Sequence, residues 1–201
     1  MTSHKLEFHD IYEKFHQRIH LYLERMVGKD EVEDLTQEVF IKIDKGLKEF
    51  RGQSKLSTWI YRVATNAALD KLQSRAYRER KKRMSLSSED NQNESEDGSV
   101  LVEEKSLSAE REAVRNEMNE CIREFVDKLP DNYKTVIILS EFKDLQNQQI
   151  ADILDISLDA VKIRLHRARA RLKVEFEAGC EFYYNEDNEL ACDRKNKKTE
   201  E

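Results

Sequence analysis

Hydrophobic side chains recur at intervals of three and four residues in the first part of the chain. They form two stripes: Phe8, Ile11, Tyr12, Phe15, Ile19, Tyr22, Leu23 and Met26, then Val32, Leu35, Val39, Phe40, Ile43 and Leu47. This spacing places the apolar side chains on one face of a helix, whereas a half-buried strand requires strict alternation. Gly28 suits the end of the first helix, and residues 50–54 have the composition of a loop.

The same helical spacing continues through the rest of the chain. A third helix is predicted to begin at Ser57 or Thr58, either of which can cap it, and to extend into Arg83. A later stripe consists of Val114, Met118, Cys121, Ile122, Phe125 and Leu129. Pro130 ends that helix, and Asp131 can cap the next one. A short helix up to Leu154, a turn over 155–157 and a last helix from Leu158 complete an all-α fold.

Residues 85–99 interrupt this pattern with many acidic, serine and asparagine residues and one apolar side chain. Such a stretch buries too little surface to offset the entropy of ordering it. We therefore predict two small helical domains joined by a flexible acidic linker. The predicted boundaries are 1–84 for the first domain, 85–110 for the linker, 111–177 for a helix-turn-helix domain, and 178–201 for a cysteine-containing tail.

Composition agrees with a helical protein of the cytoplasm. Only 5 glycines and 1 proline occur among 201 residues, which disfavours a turn-rich β-sandwich. No apolar run approaches the roughly 18 to 20 residues of a membrane span, and the first ten residues contain no apolar signal segment. We expect a cytoplasmic location and no membrane insertion.

The net charge of -6 is distributed unevenly. Residues 1–83 contribute +5, residues 84–127 contribute -9, residues 128–179 contribute +1, and residues 180–201 contribute -3. An acidic total argues against nucleic-acid binding only when the charge is spread evenly. Here an acidic middle separates two segments that each contain a basic stretch.

The last helix has the features of a DNA-recognition helix. A short helix and a tight turn precede it, Ser157 can cap it, and no acidic residue occurs between Ala160 and Val174. Its basic residues are Lys162, Arg164, Arg167, Arg169, Arg171 and Lys173. Such a helix can enter a major groove, where side chains near its start reach base edges and others contact phosphates. The alternative is an ordinary helical hairpin with a solvated basic face.

A second basic stretch follows the aromatic residues Trp59, Tyr61 and Tyr77. It comprises Arg62, Lys71, Arg75, Arg78, Arg80, Lys81, Lys82 and Arg83. Aromatic and basic side chains together suit single-stranded nucleic acid, because bases stack on rings while phosphates are neutralised. The alternative places Trp59 in the core and leaves the charges solvated.

Three cysteines are too few for a disulfide scaffold. Cys180 and Cys192 lie symmetrically about Glu186, and residues 185–188 indicate a turn, so a hairpin would bring the two thiols close. This spacing suggests a redox switch or a shared zinc site, whereas the alternative is a small flap with two reduced thiols. Cys121 lies on an apolar stripe and is interpreted as a core residue.

Two blocks of the sequence resemble the bacterial extracytoplasmic-function (ECF) sigma factors of the sigma-70 superfamily. The first block contains DLTQEVF at 34–40, FRG at 50–52 and STWIYRVATN at 57–66, and is similar to region 2 of that family. The second contains LP at 129–130, QIA at 149–151 and VKIRLHRAR at 161–169, and is similar to region 4. The resemblance covers roughly residues 8–83 and 112–176.

The resemblance implies a subunit that binds core RNA polymerase and directs it to promoter DNA. The partners it implies are the β′ clamp coiled coil and the β flap of the polymerase, and an anti-sigma factor. Core binding is expected from Asp34, Gln37, Glu38, Phe40 and Ile41. Capture of the melted −10 strand is expected from Phe50, Arg51, Gln53, Ser54, Trp59, Arg62 and Asn66. Recognition of the −35 duplex is expected from Ser157, Lys162, Ile163, Arg164, His166, Arg167 and Arg169.

The sequence departs from the family pattern in three places in this region. Gln146 and Asn147 stand where the family usually has a serine or threonine cap, and Asn147 can still cap the short helix one residue later. Asp155 stands where glycine is usual in the turn, and aspartate tolerates the left-handed conformation required there. Ile163 is apolar where small or polar residues are common, and an apolar side chain favours contact with a thymine methyl group.

Two other classes of function were compared with this one. An independent helix-turn-helix regulator that binds an operator as a dimer is the main alternative, although the block at 34–66 has no evident use in such a protein. The sequence shows no paired carboxylates with a supporting histidine, no metal-ligand spacing and no glycine-rich phosphate loop. We therefore expect neither catalytic residues nor a cofactor.

Overall fold

The computed structural model describes residues 8–85, 121–143, 145–184 and 190–195. The predicted linker lies outside these described residues except for Ser85, as does the start of the helix predicted around Val114. The chain divides into two compact units: Met1–Arg75 with Leu129–Arg171, and Ala76–Lys128 with Leu172–Glu201. The prediction of an all-α fold is confirmed, with one two-stranded hairpin in the tail.

The first unit begins with helices α1 (Phe8–Val27), α2 (Lys29–Leu47) and the larger part of α3 (Leu56–Ser85). Gly28 separates α1 from α2 with a φ of 91°, a left-handed conformation that glycine adopts without steric cost. The predicted stripes of α1 and α2 are largely buried. Tyr22 and Thr65 share a buried hydrogen bond of 2.8 Å between α1 and α3. The helix end predicted at Gly28 is confirmed, because α1 ends at Val27 and α2 begins at Lys29.

The predicted caps of two helices are wrong. Helix α3 begins at Leu56, and the Trp59 N–H already donates to the Lys55 carbonyl, so Ser57 and Thr58 lie inside the first turn. Thr58 is buried there. Helix α5 (Asp131–Ile137) has Pro130 at its cap position, so Asp131 is its first helical residue. An acidic side chain in a first turn still interacts favourably with the helix dipole.

The first unit also contains the helix-turn-helix. Helix α5 continues as a π-helical turn over Ile138–Phe142 and is followed by α6 (Asn147–Leu154) and by α7 (Leu158–Gly179), of which the part up to Arg171 belongs to this unit. The core of these helices consists of Val136, Ile137, Ile138, Leu139, Ile150, Ile153, Val161, Leu165 and Ala168. The short helix, turn and last helix predicted from the sequence are therefore present.

Two lysines join this part of the first unit to α1. The buried Lys134 donates from Nζ to the Met26 carbonyl at 3.0 Å, and Lys143 donates to the Arg18 carbonyl at 3.3 Å. The Lys134 ammonium lies beside one of the last carbonyls of α1, which is favourable because that end of a helix carries a partial negative charge. Burial and the nearby Arg25 and Arg18 lower the pKa of Lys143.

The second unit contains the described part of α4 (121–127), the end of α7 and strands β1 (Cys180–Tyr184) and β2 (Leu190–Arg194). The strands pair antiparallel, with Cys180 opposite Arg194 and Phe182 opposite Cys192. Phe125 packs edge-to-face on Phe176 with ring centroids 5.0 Å apart. None of the helices that the structure describes is long and apolar enough to cross a membrane.

Candidate nucleic-acid interface

The turn between α6 and α7 sets the direction of the recognition helix. Asp155 has φ 53° and ψ 48°, which confirms the left-handed conformation predicted for it. Ser157 caps α7, because its Oγ accepts a hydrogen bond of 3.1 Å from the Ala160 N–H. At the start of α6, the cap residue is Gln146 and not the predicted Asn147, which is the first helical residue; the Gln146 N–H donates to Gln149 Oε1 at 3.0 Å. Both helices of the motif therefore have a side chain that bonds a backbone N–H at their N-termini.

Helix α7 has one buried face and one exposed basic face. Val161, Leu165 and Ala168 are fully buried against the rest of the motif. Lys162, Ile163, His166 and Arg167 are exposed, and we call these four residues the α7 surface. Ile163 is 51% exposed, which is unusual for an isoleucine and leaves an apolar contact available among polar neighbours. The surface combines hydrogen-bond donors with one apolar side chain, as base edges in a major groove require.

The other predicted −35 residues differ in their surroundings. Arg164 is half-buried, and Ser157 is engaged as the helix cap. Arg169 donates to Glu141 at 2.6 Å, so part of its charge is compensated within the motif. The Arg171 guanidinium lies over the Tyr133 ring at 5.2 Å. Lys162 is also paired, with Asp159 at 3.4 Å, so several basic side chains of α7 already have a partner within the chain.

The loop before α3 and the first turns of α3 hold the residues predicted to contact the −10 strand; we call this set the α3 cluster. Trp59 is half-buried, and its ring lies 5.2 Å from that of Phe50. A Cβ on Gly46 would lie 2.9 Å from the Trp59 ring, so only glycine leaves room for the indole. Arg51 and Gln53 are exposed, and Ser54 is half-buried. Trp59 is therefore neither fully in the core nor free on the surface.

Arg62 and Asn66 lie one turn apart on α3 and complete the α3 cluster. Asn66 is exposed, whereas Arg62 is half-buried. The Arg62 guanidinium donates two hydrogen bonds to the Asp152 carbonyl of α6, one of them 2.9 Å from Nε. This contact was not predicted, because 90 residues separate the two groups along the chain.

The basic stretch at the end of α3 is only partly described. Lys71 pairs with Glu31 at 3.0 Å, and Arg75 is exposed. The side chains of Tyr77, Arg78, Arg80 and 81–83 lie outside the described residues. Of the predicted basic run, therefore, only Arg62, Lys71 and Arg75 have described side chains.

Helix α2 presents its expected polymerase-binding residues on one solvent face. Asp34, Gln37, Glu38 and Ile41 follow one another at the three- and four-residue spacing of a helix face, and all four are exposed; we call them the α2 stripe. Ile41 is 54% exposed at the end of this polar row. Phe40 instead points inward, 3% exposed, and its ring lies 4.9 Å from that of Tyr12. The stripe combines acidic, amide and apolar groups on a face that the fold leaves uncovered.

The predicted pair of tail cysteines is near a third thiol. Cys180 is buried, Cys192 is half-buried, and the Cys121 sulfur lies 3.9 Å from that of Cys180. Within the described parts of the chain, no group of three or more His, Cys, Asp or Glu side chains is arranged to hold a metal ion. Cys121 is buried, as the sequence predicted, but its contact with Cys180 was not predicted.

These features define an α-helical protein that contains a helix-turn-helix and three further long helices, and known proteins identify the class. Residues 11–78 match Sigma-70 region 2, and residues 119–172 match Sigma-70, region 4. The chain is 33% identical over 167 residues to the ECF RNA polymerase sigma factor SigW of Bacillus subtilis. The aligned region covers 83% of this chain and 87% of SigW. The chain is 34% identical over 172 residues to the sigma factor YlaC of the same organism, covering 85% and 92%.

Solved structures agree at the level of the fold. The sigma factor RpoE of Bartonella quintana, in complex with the anti-sigma factor NepR, aligns with a TM-score of 0.59 at 18% identity over 85% of this chain and 96% of that one. CnrH, in complex with the cytosolic domain of CnrY, aligns with a TM-score of 0.57 at 19% identity over 85% and 88%. The chain belongs to the extracytoplasmic-function sigma factors of the sigma-70 superfamily, and its function at that level is that of an RNA polymerase sigma factor.

Proposed function

We propose that the α7 surface recognises the −35 element of a promoter in the major groove. The observation that carries this proposal is the exposed group of Lys162, Ile163, His166 and Arg167, presented by a capped helix directly after a left-handed turn. Donors on such a helix bond to guanine and adenine edges, while an apolar side chain contacts a thymine methyl group. The promoter is therefore expected to contain a thymine in the base pair opposite Ile163.

The α3 cluster captures the melted −10 strand in this proposal. Asn66 offers an amide that both donates and accepts hydrogen bonds, as recognition of an unstacked base requires. Phe50 and Trp59 form an aromatic pair beside the exposed Arg51 and Gln53. Arg62 is bonded to the Asp152 carbonyl, so it can bind a phosphate only after those hydrogen bonds break.

The α2 stripe docks on the β′ clamp coiled coil of core RNA polymerase. Its exposed Ile41 would be buried by a partner, which stabilises docking by removing apolar surface from water. Asp34 and Glu38 supply negative charge for basic groups on that partner, although Lys42 pairs with Glu38 at 2.8 Å. The buried Phe40 packs beneath this face and supports it from inside. A separate contact, between the helix-turn-helix domain and the β flap of the polymerase, completes the docking.

An anti-sigma factor is a further expected partner. The structurally similar sigma factor RpoE was solved with the anti-sigma factor NepR bound, and the similar CnrH was solved with the cytosolic domain of CnrY. An anti-sigma factor that covers the α2 stripe would compete directly with core polymerase for Ile41.

Footprinting of the promoter complex tests these placements. The chain and bacterial core polymerase are used to select a fragment from a genomic library, and the complex is then probed with a nuclease and with permanganate, which oxidises unstacked thymines. The wild-type chain should protect an upstream duplex element and expose thymines at a downstream element. Arg167→Ala should reduce the upstream protection, and Asn66→Ala should reduce the permanganate reactivity. Loss of both features in either variant would contradict the assignment of separate surfaces.

A further inference from the structure

Three thiols, which the sigma-factor function does not use, meet in the second unit; we call Cys121, Cys180 and Cys192 the thiol cluster. The sulfurs of Cys121 and Cys180 are 3.9 Å apart, although 59 residues separate them in sequence. All three cysteines are reduced in this structure. The cluster therefore joins α4 to the hairpin at a place where sulfur chemistry is available.

The strand register explains why Cys192 belongs to the same cluster. Cys180 pairs with Arg194, and Cys192 pairs with Phe182, so the two cysteines are diagonal neighbours on one face of the hairpin. Diagonal neighbours in an antiparallel pair are about 7–8 Å apart at their Cα atoms, with side chains closer. Cys180 thus has a neighbouring thiol on its own hairpin and another on α4.

Packing holds α4 and the hairpin together around these sulfurs. A Cβ on Gly179 would lie 2.7 Å from the Phe125 ring, so the end of α7 approaches α4 closely. Arg194 donates to Glu124 of α4 at 2.5 Å, and the Lys195 N–H donates to the Gly179 carbonyl at 3.0 Å. These contacts surround the sulfur pair from three elements, so the short distance is part of a packed arrangement.

Exposure differs among the three thiols. Cys121 and Cys180 are 9% and 3% exposed, whereas Cys192 is half-buried and accessible to small reagents. A reagent in solution therefore meets Cys192 first, and the buried pair is reached through it. Burial keeps a disulfide between the inner two sulfurs away from external thiols.

We propose that Cys121 and Cys180 form a reversible disulfide, generated by exchange with a low-molecular-weight disulfide that first reacts at Cys192. The two inner sulfurs must approach by about 2 Å to reach bonding distance, which side-chain rotation and a small shift of the hairpin can supply. The site is a redox modification site whose oxidant is a small disulfide of the glutathione type.

The exchange is balanced in three thiol–disulfide steps. The Cys192 thiolate attacks one sulfur of the small disulfide, forms a mixed disulfide and releases one small thiolate. The Cys180 thiolate attacks the Cys192 sulfur and displaces the second small thiolate, and Cys121 then attacks the Cys180 sulfur and releases Cys192. In total, two protein thiols are oxidised to one disulfide, and one small disulfide is reduced to two small thiols that take up the protons.

The resulting bond links α4 to β1 and encloses the helix-turn-helix in a covalent loop. Closing a loop of roughly 60 residues lowers the entropy of the unfolded chain. Oxidation should therefore raise the midpoint of thermal unfolding, and reduction with a dithiol should reverse the rise.

Disulfide mapping of the full chain tests the proposal. The purified protein is equilibrated with oxidised glutathione, alkylated to block free thiols, digested and examined by mass spectrometry. The expected majority product is a peptide pair linked through Cys121 and Cys180. Absence of an intramolecular disulfide, or a wild-type product linked only through Cys180 and Cys192, would overturn the proposal.

Single variants separate the steps. Cys192→Ser should slow formation of the inner disulfide by about tenfold or more while giving the same product, because the accessible thiol is lost. Cys121→Ala should accumulate the Cys180–Cys192 disulfide. Cys180→Ala should form no intramolecular disulfide. Far-UV circular dichroism of each reduced variant checks folding, and a variant that is not helical is replaced by the corresponding serine or valine form. An unchanged rate in Cys192→Ser would show that Cys192 is not the first thiol to react.

Discussion

At the scale of single residues, the environment of a side chain decides which of its chemical capacities is available. Asn66 and Arg62 lie one turn apart on α3, yet Asn66 is exposed and Arg62 already donates to the Asp152 carbonyl. The Asn66 amide is thus accessible from solvent, whereas Arg62 must lose its hydrogen bonds to Asp152 before it can bind another acceptor. Both residues were predicted from the sequence to contact the −10 strand, but only one of them has its polar group accessible.

Replacement of Asn66 by alanine should impair promoter opening without weakening polymerase binding. In the proposed function, the Asn66 amide contacts an unstacked base only in the open complex, so we expect transcript yield to fall roughly tenfold, which corresponds to about 1.4 kcal/mol. Transcript yield and affinity for core polymerase are measured in parallel. Gln73→Ala is a matched control, since Gln73 is an exposed amide farther along α3. A loss of core affinity in Asn66→Ala would show that its placement is wrong.

Arg167 is the exposed guanidinium at the centre of the α7 surface. Arg167→Ala should weaken binding of the −35 duplex by about 1–3 kcal/mol if the side chain contacts a base. Fluorescence anisotropy of a labelled duplex at several salt concentrations measures the change. Lys173→Ala provides the control, because Lys173 lies farther along α7 and pairs with Glu177 at 3.7 Å. Equal losses in the two variants would indicate a general charge effect instead of base recognition.

Burial raises the pKa of the Cys180 thiol from 9.0 to about 11, and its neighbours Cys121 and Cys192 act in the same direction against Arg194. The folded state therefore favours the protonated thiol, and the stability gained is present below pH 9 and is lost as the pH rises through about 11. The thiolate absorbance of the reduced wild-type chain minus that of Cys180→Ala should titrate near pH 11 when folded and near 9 in urea. Coincident titrations in the two conditions would contradict this assignment.

At the scale of elements, α2 has one face that packs in the core and one face that is exposed. Leu35 is 2% exposed and belongs to the buried face, whereas Ile41 is 54% exposed and belongs to the α2 stripe. The two apolar residues are separated by less than two turns, but only Leu35 lies on the apolar stripe predicted from the spacing. The structure confirms that they lie on different faces.

Aspartate substitutions on the two faces should have opposite effects. Leu35→Asp buries an unpaired charge and should cost roughly 4 kcal/mol or more, so the chain unfolds. Ile41→Asp should change the free energy of unfolding by only about 0.5 kcal/mol but abolish binding to core polymerase. Urea unfolding and co-elution with core polymerase measure the two quantities. A folded Leu35→Asp chain would indicate that Leu35 faces a partner.

Helix content followed from the spacing of apolar residues, but helix ends did so only in part. Gly28 and Asp155 ended their helices as predicted, because both positions need a left-handed backbone that few residues adopt. Ser57 and Thr58 were predicted as caps but lie inside α3. A cap contributes only about 1 kcal/mol, so the packing of a buried side chain such as Thr58 outweighs it.

At the scale of the whole molecule, periodicity cannot show contacts between distant parts of the chain. Lys134 and Met26 are 108 residues apart, and the buried Lys134 sits among apolar positions with no sequence feature to indicate its acceptor. The Cys121–Cys180 pair is equally invisible, although each cysteine was recognised separately. By contrast, the exposure of the α2 stripe and of the α7 surface can be predicted from the helical pattern. These residues lie on the helix faces that the apolar side chains leave free.

We propose that this chain directs core RNA polymerase to a defined promoter through two DNA-binding surfaces. Run-off transcription is the test: the purified, reduced chain, or its Ile41→Asp variant that cannot dock, is mixed with bacterial core polymerase on a library of promoter fragments. We expect transcripts that start at defined sites only when the wild-type chain is present, and none with Ile41→Asp. Specific duplex binding without polymerase, together with no transcription, would overturn the proposal and favour an independent regulator.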